Sequence, residues 1–164
     1  MSGTDLILNV LSFLMLLVLA WFGFTTVNII VTIFRTRKQD KTLQFSFSRG
    51  GKIFFIVSSV VFLALFIGGI IAIVYGLTHD NISMYRVAIN LMGLGSLLYS
   101  LLLSNTIQLG RKDLMIGRML IDYRKMKKVT FSLDDRVTFV YAQKEYTFTT
   151  RFADLTEIKK AMKR

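Results

Sequence analysis

Three apolar spans, each flanked by an uneven set of charges, constrain this chain more than any other feature: residues 6–34, 53–77 and 87–103. A helix crossing a bilayer needs about 20 apolar residues, and each span meets or approaches that length. The loop at residues 35–52 carries Arg35, Arg37, Lys38, Lys41, Arg49 and Lys52 against Asp40 alone. The second connection is short: Thr78 to Ser83, then Met84, Tyr85 and Arg86. Basic loops stay on the cytoplasmic side of a membrane. The sequence therefore predicts a multi-pass protein of the cell (inner, cytoplasmic) membrane. Its N-terminus is expected outside, the first loop inside, the second loop outside and the C-terminal domain in the cytoplasm. The first span exceeds what one bilayer requires, so it either tilts or projects past the headgroups.

Residues 1–104 are thus expected to form a transmembrane domain of three helices, and residues 105–164 a cytoplasmic domain. The chain is 53% hydrophobic, with its apolar residues concentrated in the first two-thirds rather than spread periodically as in a soluble domain. The net charge of +11 divides the same way, with fourteen bases against seven acids after Ser104. A basic balance of this size can signal nucleic acid. Beside three spans, the positive-inside rule and attraction to anionic headgroups account for it, and no nucleic-acid partner is expected. Cysteine is absent, so disulfide and thiolate chemistry are excluded. No Lys or Arg precedes the first apolar run, which is too long for a cleaved signal's core. Met1 to Asp5 reads as a short translocated tail, with Thr4-Asp5 as a helix cap.

Within the spans, Trp21 sits mid-membrane and reads as a packing residue. Asn9, Thr25, Thr26, Asn28 and Thr32 are expected to bond between helices or back to the backbone. Ala64, Gly68, Ala72 and Gly76 recur at every fourth residue of the second span, and so share one helix face. Small residues in such a row let another helix approach closely. The row packs either this protein's own helices or a partner or second copy. A weaker row, Ser96, Ser100 and Ser104, lies beside Gly93 and Gly95 in the third span. No Asp, Glu, Lys or His lies inside a span, and Arg86 is placed to snorkel at an edge. Proton relays, ion-coupled carriers and voltage sensors are built on intramembrane charge, so those classes are disfavoured.

In the first loop, Leu43, Phe45 and Phe47 alternate with Gln44, Ser46 and Ser48, a period of two. Two placements fit: a strand added to the tail's sheet, or an interfacial segment with phenylalanines among the headgroups. Arg49-Gly50-Gly51-Lys52 reads as the turn into the second span.

The tail changes period. Strands are predicted at Thr106–Leu109, Leu114–Gly117, Met119–Tyr123 and Lys127–Leu133, then around Val137–Tyr141 and Tyr146–Thr150. Turns fall at Gly110–Asp113, at Asp134-Asp135-Arg136 and at Gln143-Lys144. This describes an antiparallel meander with one buried and one solvated face. Asp154 with Glu157 forms a capping-box pattern for a closing helix, which Leu155, Ile158 and Met162 should lay on the sheet, with Lys159, Lys160, Lys163 and Arg164 in its last turn. About sixty residues is small for an independent core, so the domain should lean on the membrane, the first loop or a partner.

The order of strands, the segment Ile121-Asp122-Tyr123-Arg124-Lys125-Met126-Lys127-Lys128-Val129, the two hairpin strands and the end helix resemble the bacterial pleckstrin-homology-like (PH-like) domains. These occur in small membrane proteins with N-terminal spanning helices. Tyr123, Met126 and Val129 match the family's pattern of a strand-ending aromatic, a turn with an apolar residue and a strand-opening valine. The first strands are shorter than the family's, so the sheet is either truncated or completed by Leu43–Phe47. The resemblance implies a scaffolding or accessory role without catalytic residues. The fold class expected is a membrane α-helical bundle plus a small α+β domain with an antiparallel PH-like sheet.

Catalysis would have to use Asp113, Asp122, Asp134, Asp135, Asp154, Glu145 or Glu157. Turn and cap chemistry accounts for Asp134, Asp135, Asp154 and Glu157, and no nucleophile elbow, P-loop or HExxH is present. No enzyme activity, metal or cofactor is expected. The basic set Arg111, Lys112, Arg118, Arg124, Lys125, Lys127 and Lys128 is either a solvated positive-inside surface or a contact for anionic lipid or an acidic protein partner. The expected function is that of a membrane-anchored accessory or regulatory protein whose tail binds a protein partner or headgroups. The alternative is a lytic or immunity-type protein that oligomerises through its spans. Asn81-Ile82-Ser83 matches a glycosylation sequon, in a loop too short to favour its use.

Overall fold

The computed structural model describes residues 3–132 and 135–162, with the side chains of residues 3–5 outside the description. Leu133, Asp134, Lys163 and Arg164, which figure in the expectations above, lie outside the described residues. The apolar spans form α1 (Gly3–Gln39), α2 (Arg49–Thr78) and α3 (Ile82–Ser104). Each is long and apolar enough to cross a membrane.

All three helices outrun their apolar spans because local chemistry carries them further. α1 begins at Gly3, so Thr4 and Asp5 lie inside its first turn rather than ahead of it. It has 37 residues, about 55 Å at 1.5 Å per residue. Arg37 and Lys38 occupy its last turn, where the helix dipole favours cations. Asp40 then closes the end, its carboxylate accepting from the Thr42 amide at 2.8 Å and the Thr42 hydroxyl at 2.6 Å. Arg49 to Lys52 form the first turn of α2 rather than a loop. The Ser48 hydroxyl caps them by accepting from Gly51 N at 3.0 Å. Asn81 caps α3, its Oδ1 accepting from Met84 N at 3.2 Å and the Ser83 hydroxyl at 2.7 Å.

The chain divides into two units: Met1–Asn28 with Val57–Leu101, and Ile29–Ile56 with Leu102–Arg164. Among its described residues, the first unit is helical apart from the short turn at His79–Asn81. A Cβ on Gly93 of α3 would lie 2.8 Å from the Met15 carbonyl of α1, so glycine is what lets the two helices come this close. α2 meets α3 through a Ser59–Tyr99 hydroxyl pair at 2.9 Å and a Phe62–Tyr99 stack at 4.2 Å. Arg86 donates to the Asn9 side-chain carbonyl, so this arginine is held between α3 and α1. Thr25 bonds back to the Trp21 carbonyl at 2.8 Å. Trp21 is not a packing residue here. Its side chain is 70% exposed and faces away from the bundle, among the described residues.

The second unit contains two sheets. β1 (Gln44–Phe45), β2 (Ile107–Leu109), β3 (Asp113–Ile116) and β4 (Met119–Asp122) form one in that order. β5 (Lys127–Phe131), β6 (Arg136–Tyr141) and β7 (Lys144–Thr149) form the other. All pairings are antiparallel. The single meander is broken by a 3-10 turn at Tyr123–Lys125, where Asp122 accepts from Arg124 N at 2.9 Å and Met126 N donates to Tyr123 O at 3.2 Å. The β6–β7 turn is Ala142-Gln143, both with φ positive, one residue earlier than Gln143-Lys144. Two left-handed residues in succession match the twist of a tight hairpin.

The first loop joins the tail's sheet as the strand β1. Gln44 pairs with Leu109 and Phe45 with Gln108. The contact continues one residue past the strand: Ser46, 1% exposed, donates its amide to Ile107 O at 3.0 Å. The solvated-face expectation fails for the first sheet: neighbours Ile107 and Gln108 point to opposite faces and are 2% and 0% exposed. The second sheet keeps it, with Val137, Phe139 and Phe148 buried on one side. The core joins Ile107, Leu114 and Ile121 of the first sheet to those three and to Ile158 of α4 (Leu155–Met162), and Tyr123, Met126 and Val129 pack against it.

Candidate binding cleft and helix-packing faces

The sheet fixes where the basic residues stand. Arg111 and Lys112 form the β2–β3 turn, and Arg124 and Lys125 the 3-10 turn. Asp113 pairs with Asp122, and Tyr123 N donates to Lys112 O at 3.0 Å, so these four share one end of the first sheet. Arg118 is in the β3–β4 turn at the opposite end, about 13 Å away along four strand residues. Lys127 and Lys128 open β5 in the second sheet, where the register slips and Lys128 has φ 50°. All seven side chains are exposed. The structure brings six of them toward one end and leaves Arg118 apart.

Acids are interleaved with this cluster. Asp40 is held below the usual carboxylate range, first by the Thr42 hydroxyl, then by the Thr42 amide, with Lys112 and Arg111 adding charge. Asp113 is pushed up, first by desolvation and then by Asp122 and Asp40. The surface is therefore less uniformly positive than the sequence suggests.

A better-formed feature lies alongside. An open cleft of about 560 Å³ runs between β1, the β2–β3 turn and α4. Lys41, Arg111 and Lys160 supply cations, Phe45, Leu109 and Ala161 supply apolar wall, and Glu157 is the one acid lining it. Arg37 stands 5.1 Å over the Phe45 ring and donates to Leu43 O at 3.3 Å, fixing the β1 side. The Thr42 hydroxyl accepts from Arg111 N at 3.0 Å and ties the turn to β1. Asp154 caps α4, accepting from the amides of Thr156 at 2.9 Å and Glu157 at 3.3 Å. The Glu157 carboxylate does not return to its own cap. It accepts from the Ser46 hydroxyl at 3.0 Å instead.

Sequence reasoning found Arg111 but not Lys41 or Lys160 as its neighbours. They come from segments over a hundred residues apart, and only the alternation at Leu43–Phe47 hinted that the first loop reaches the sheet. The described residues contain no group of three or more His, Asp or Glu placed to hold a metal ion.

The small-residue row of α2 divides in two. Gly76 is buried, with the Tyr85 amide 3.1 Å from where its Cβ would lie, and Ala72 is half-buried. Ala64 and Gly68 are exposed, and nothing lies within 4 Å of a Cβ on Gly68. Its neighbour Gly69 takes the close contact, against the Met92 side chain of α3. Comparison with protein-family models, with curated proteins and with solved structures finds no match.

Proposed function

We propose that the chain is a non-catalytic accessory or regulatory protein of the cytoplasmic membrane, with its N-terminus outside and its sheet unit held at the inner face. The basic first loop and basic tail support this orientation. We read the sheet unit as PH-like: four strands, then three, then a closing helix support it, as does the packing of Tyr123, Met126 and Val129 on the core. On this reading the three helices are not simply a leader. α2 and α3 are inserted between the first and second strands of the domain.

The observation that carries the functional reading is the cleft beside β1. Its mixture of cations with Phe45, Leu109 and Ala161 fits an acidic peptide segment bearing apolar side chains better than a bare headgroup. The partner is therefore a protein presenting such a segment at the membrane surface. A photo-crosslinker at Gln44, in the full-length protein in its native membrane, tests this. One protein adduct is expected, lost in the Lys41→Glu, Arg111→Glu, Lys160→Glu variant. Adducts with lipid alone, or a protein adduct indifferent to charge reversal, would remove the reading.

The exposure of Ala64 and Gly68 favours a second reading, self-association through α2 as in a lytic or immunity-type membrane protein. Loss of self-association in Gly68→Leu, in a membrane dimerisation assay, would support it.

A further inference from the structure

We infer that the β7–α4 loop, Arg151-Phe152-Ala153, is itself a membrane-contacting element that binds anionic phospholipid headgroups. The inference rests on the membrane placement proposed above, but not on what fills the cleft.

The argument starts from Phe54. It is the second residue of the apolar run of α2, one turn from the helix start, and 46% exposed. A residue there stands at the edge of the hydrocarbon. Phe152 lies nearly a hundred positions later, yet it stacks on Phe54 with centroids 4.9 Å apart and planes 3° from parallel. A headgroup layer is about 5–7 Å thick on each side of the hydrocarbon. A ring 4.9 Å from Phe54 cannot clear that layer, so Phe152 lies within the interface.

The loop's backbone is held there too. Ser48 N donates to Phe152 O at 3.0 Å, in the residue that caps α2. Gly51 permits the approach, since a Cβ at this position would overlap the Phe152 carbonyl. On the other side of the same helix turn, Phe55 stacks with Phe47 at 5.0 Å, and Phe47 with Phe45 at 5.3 Å. Phenylalanine is among the residues that surface-lying segments bury at the headgroup–acyl boundary.

The charge selects the lipid. Arg151 stands 6.0 Å over the Phe152 ring, and Arg49 and Lys52 precede Phe54 at the start of α2, all three exposed. No Asp or Glu occurs between Asp40 and Asp80. The acid nearest Arg151 in sequence is Asp154, whose carboxylate is taken up in capping α4, and a cationic group with its aromatic stem in the interface suits anionic headgroups.

The test uses the full-length protein in lipid nanodiscs and tryptophan quenching by brominated phospholipid. Trp21 is the only tryptophan, and in the wild type it should be quenched by bromines deep in the acyl chain. In a Trp21→Phe background, Phe152→Trp is expected to be blue-shifted, quenched best by shallow bromines, and poorly accessible to acrylamide. Arg151→Trp is a second probe that leaves the Phe54–Phe152 stack intact. Gln143→Trp, at the exposed β6–β7 turn, should stay unquenched by lipid. Brominated phosphatidylglycerol should quench about twofold more than brominated phosphatidylcholine at equal content, and Lys52→Glu should erase that difference. Water-like emission from the probes at both 151 and 152, with Trp21 still lipid-quenched, overturns the inference while leaving the membrane reading standing. Equal quenching by the two lipids overturns the headgroup assignment. Loss of Trp21 quenching would instead overturn the membrane placement.

Discussion

The Ser46 hydroxyl donates to the Glu157 carboxylate at 3.0 Å, joining the loop ahead of α2 to the last helix of the chain. Ser46 is 1% exposed and its neighbour Leu43 also 1%. The loop is therefore part of the sheet unit's interior and not a linker. Residues 105–164 alone should fail to reach a fixed fold, with flat near-UV circular dichroism. Supplying residues 40–48 ahead of them through a flexible linker should restore it. In the full-length protein, Leu43→Ala should cost about 2–5 kcal/mol, as for other buried leucines, read by denaturant unfolding followed at the sheet unit.

Gly51→Ala places a methyl group on the Phe152 carbonyl oxygen, a backbone atom that cannot rotate away. Overpacking of this kind costs about 1–3 kcal/mol. The β7–α4 loop should become the first site of cleavage in limited proteolysis, while Gly50→Ala, which meets nothing within 4 Å, should leave the cleavage pattern unchanged.

Two carboxylates should move stability with pH in opposite senses. Asp154 is depressed, first by the Thr156 hydroxyl and then by the Glu157 and Thr156 amides. Its contribution is present above the unfolded pKa, about 3.9, and lost as pH falls through the lower folded value. Asp154→Asn should be destabilised at pH 7, and its gap from wild type should close as pH falls below 4. Asp113 is raised by desolvation and by Asp122. Its ionised form opposes folding at neutral pH, so Asp113→Asn should be more stable than wild type at pH 7. That gain should fade as pH drops through the raised folded value toward 3.9. Thermal midpoints across pH 2.5–8 check both.

Among the three apolar helices, glycines 25 residues apart should behave differently. Gly93→Leu must push α1 and α3 apart, because the Met15 carbonyl faces it at 2.8 Å from a Cβ. Gly68→Leu meets open space and should leave the monomer's thermal midpoint in detergent unchanged. Gly69→Ala should be milder than Gly93→Leu, since it meets the flexible Met92 side chain rather than backbone.

Much of this molecule was written locally. The three helices follow from runs of apolar residues long enough to cross a membrane, and the caps Asp154 and Asn81 act on their immediate neighbours. The strands of the second sheet follow from alternation at Val137–Tyr141 and Tyr146–Thr149, since one face is buried and the period of two survives. What local pattern could not decide is whatever depends on distant segments meeting. The first sheet lost its polar face because both sides are covered, so Ile107 and Gln108 are buried alike. Glu157 fitted a capping box, yet its carboxylate serves Ser46. The small-residue row promised one packing face, but the helix crossing selected Gly69 and Gly76 and left Gly68 open. Lys41, Arg111 and Lys160 became neighbours only when β1 paired with β2 beside α4. Periodicity determines which faces are apolar, because it reflects side-chain direction along a single element. Which face meets which is decided by packing across the whole chain, and there the tertiary structure alone decided.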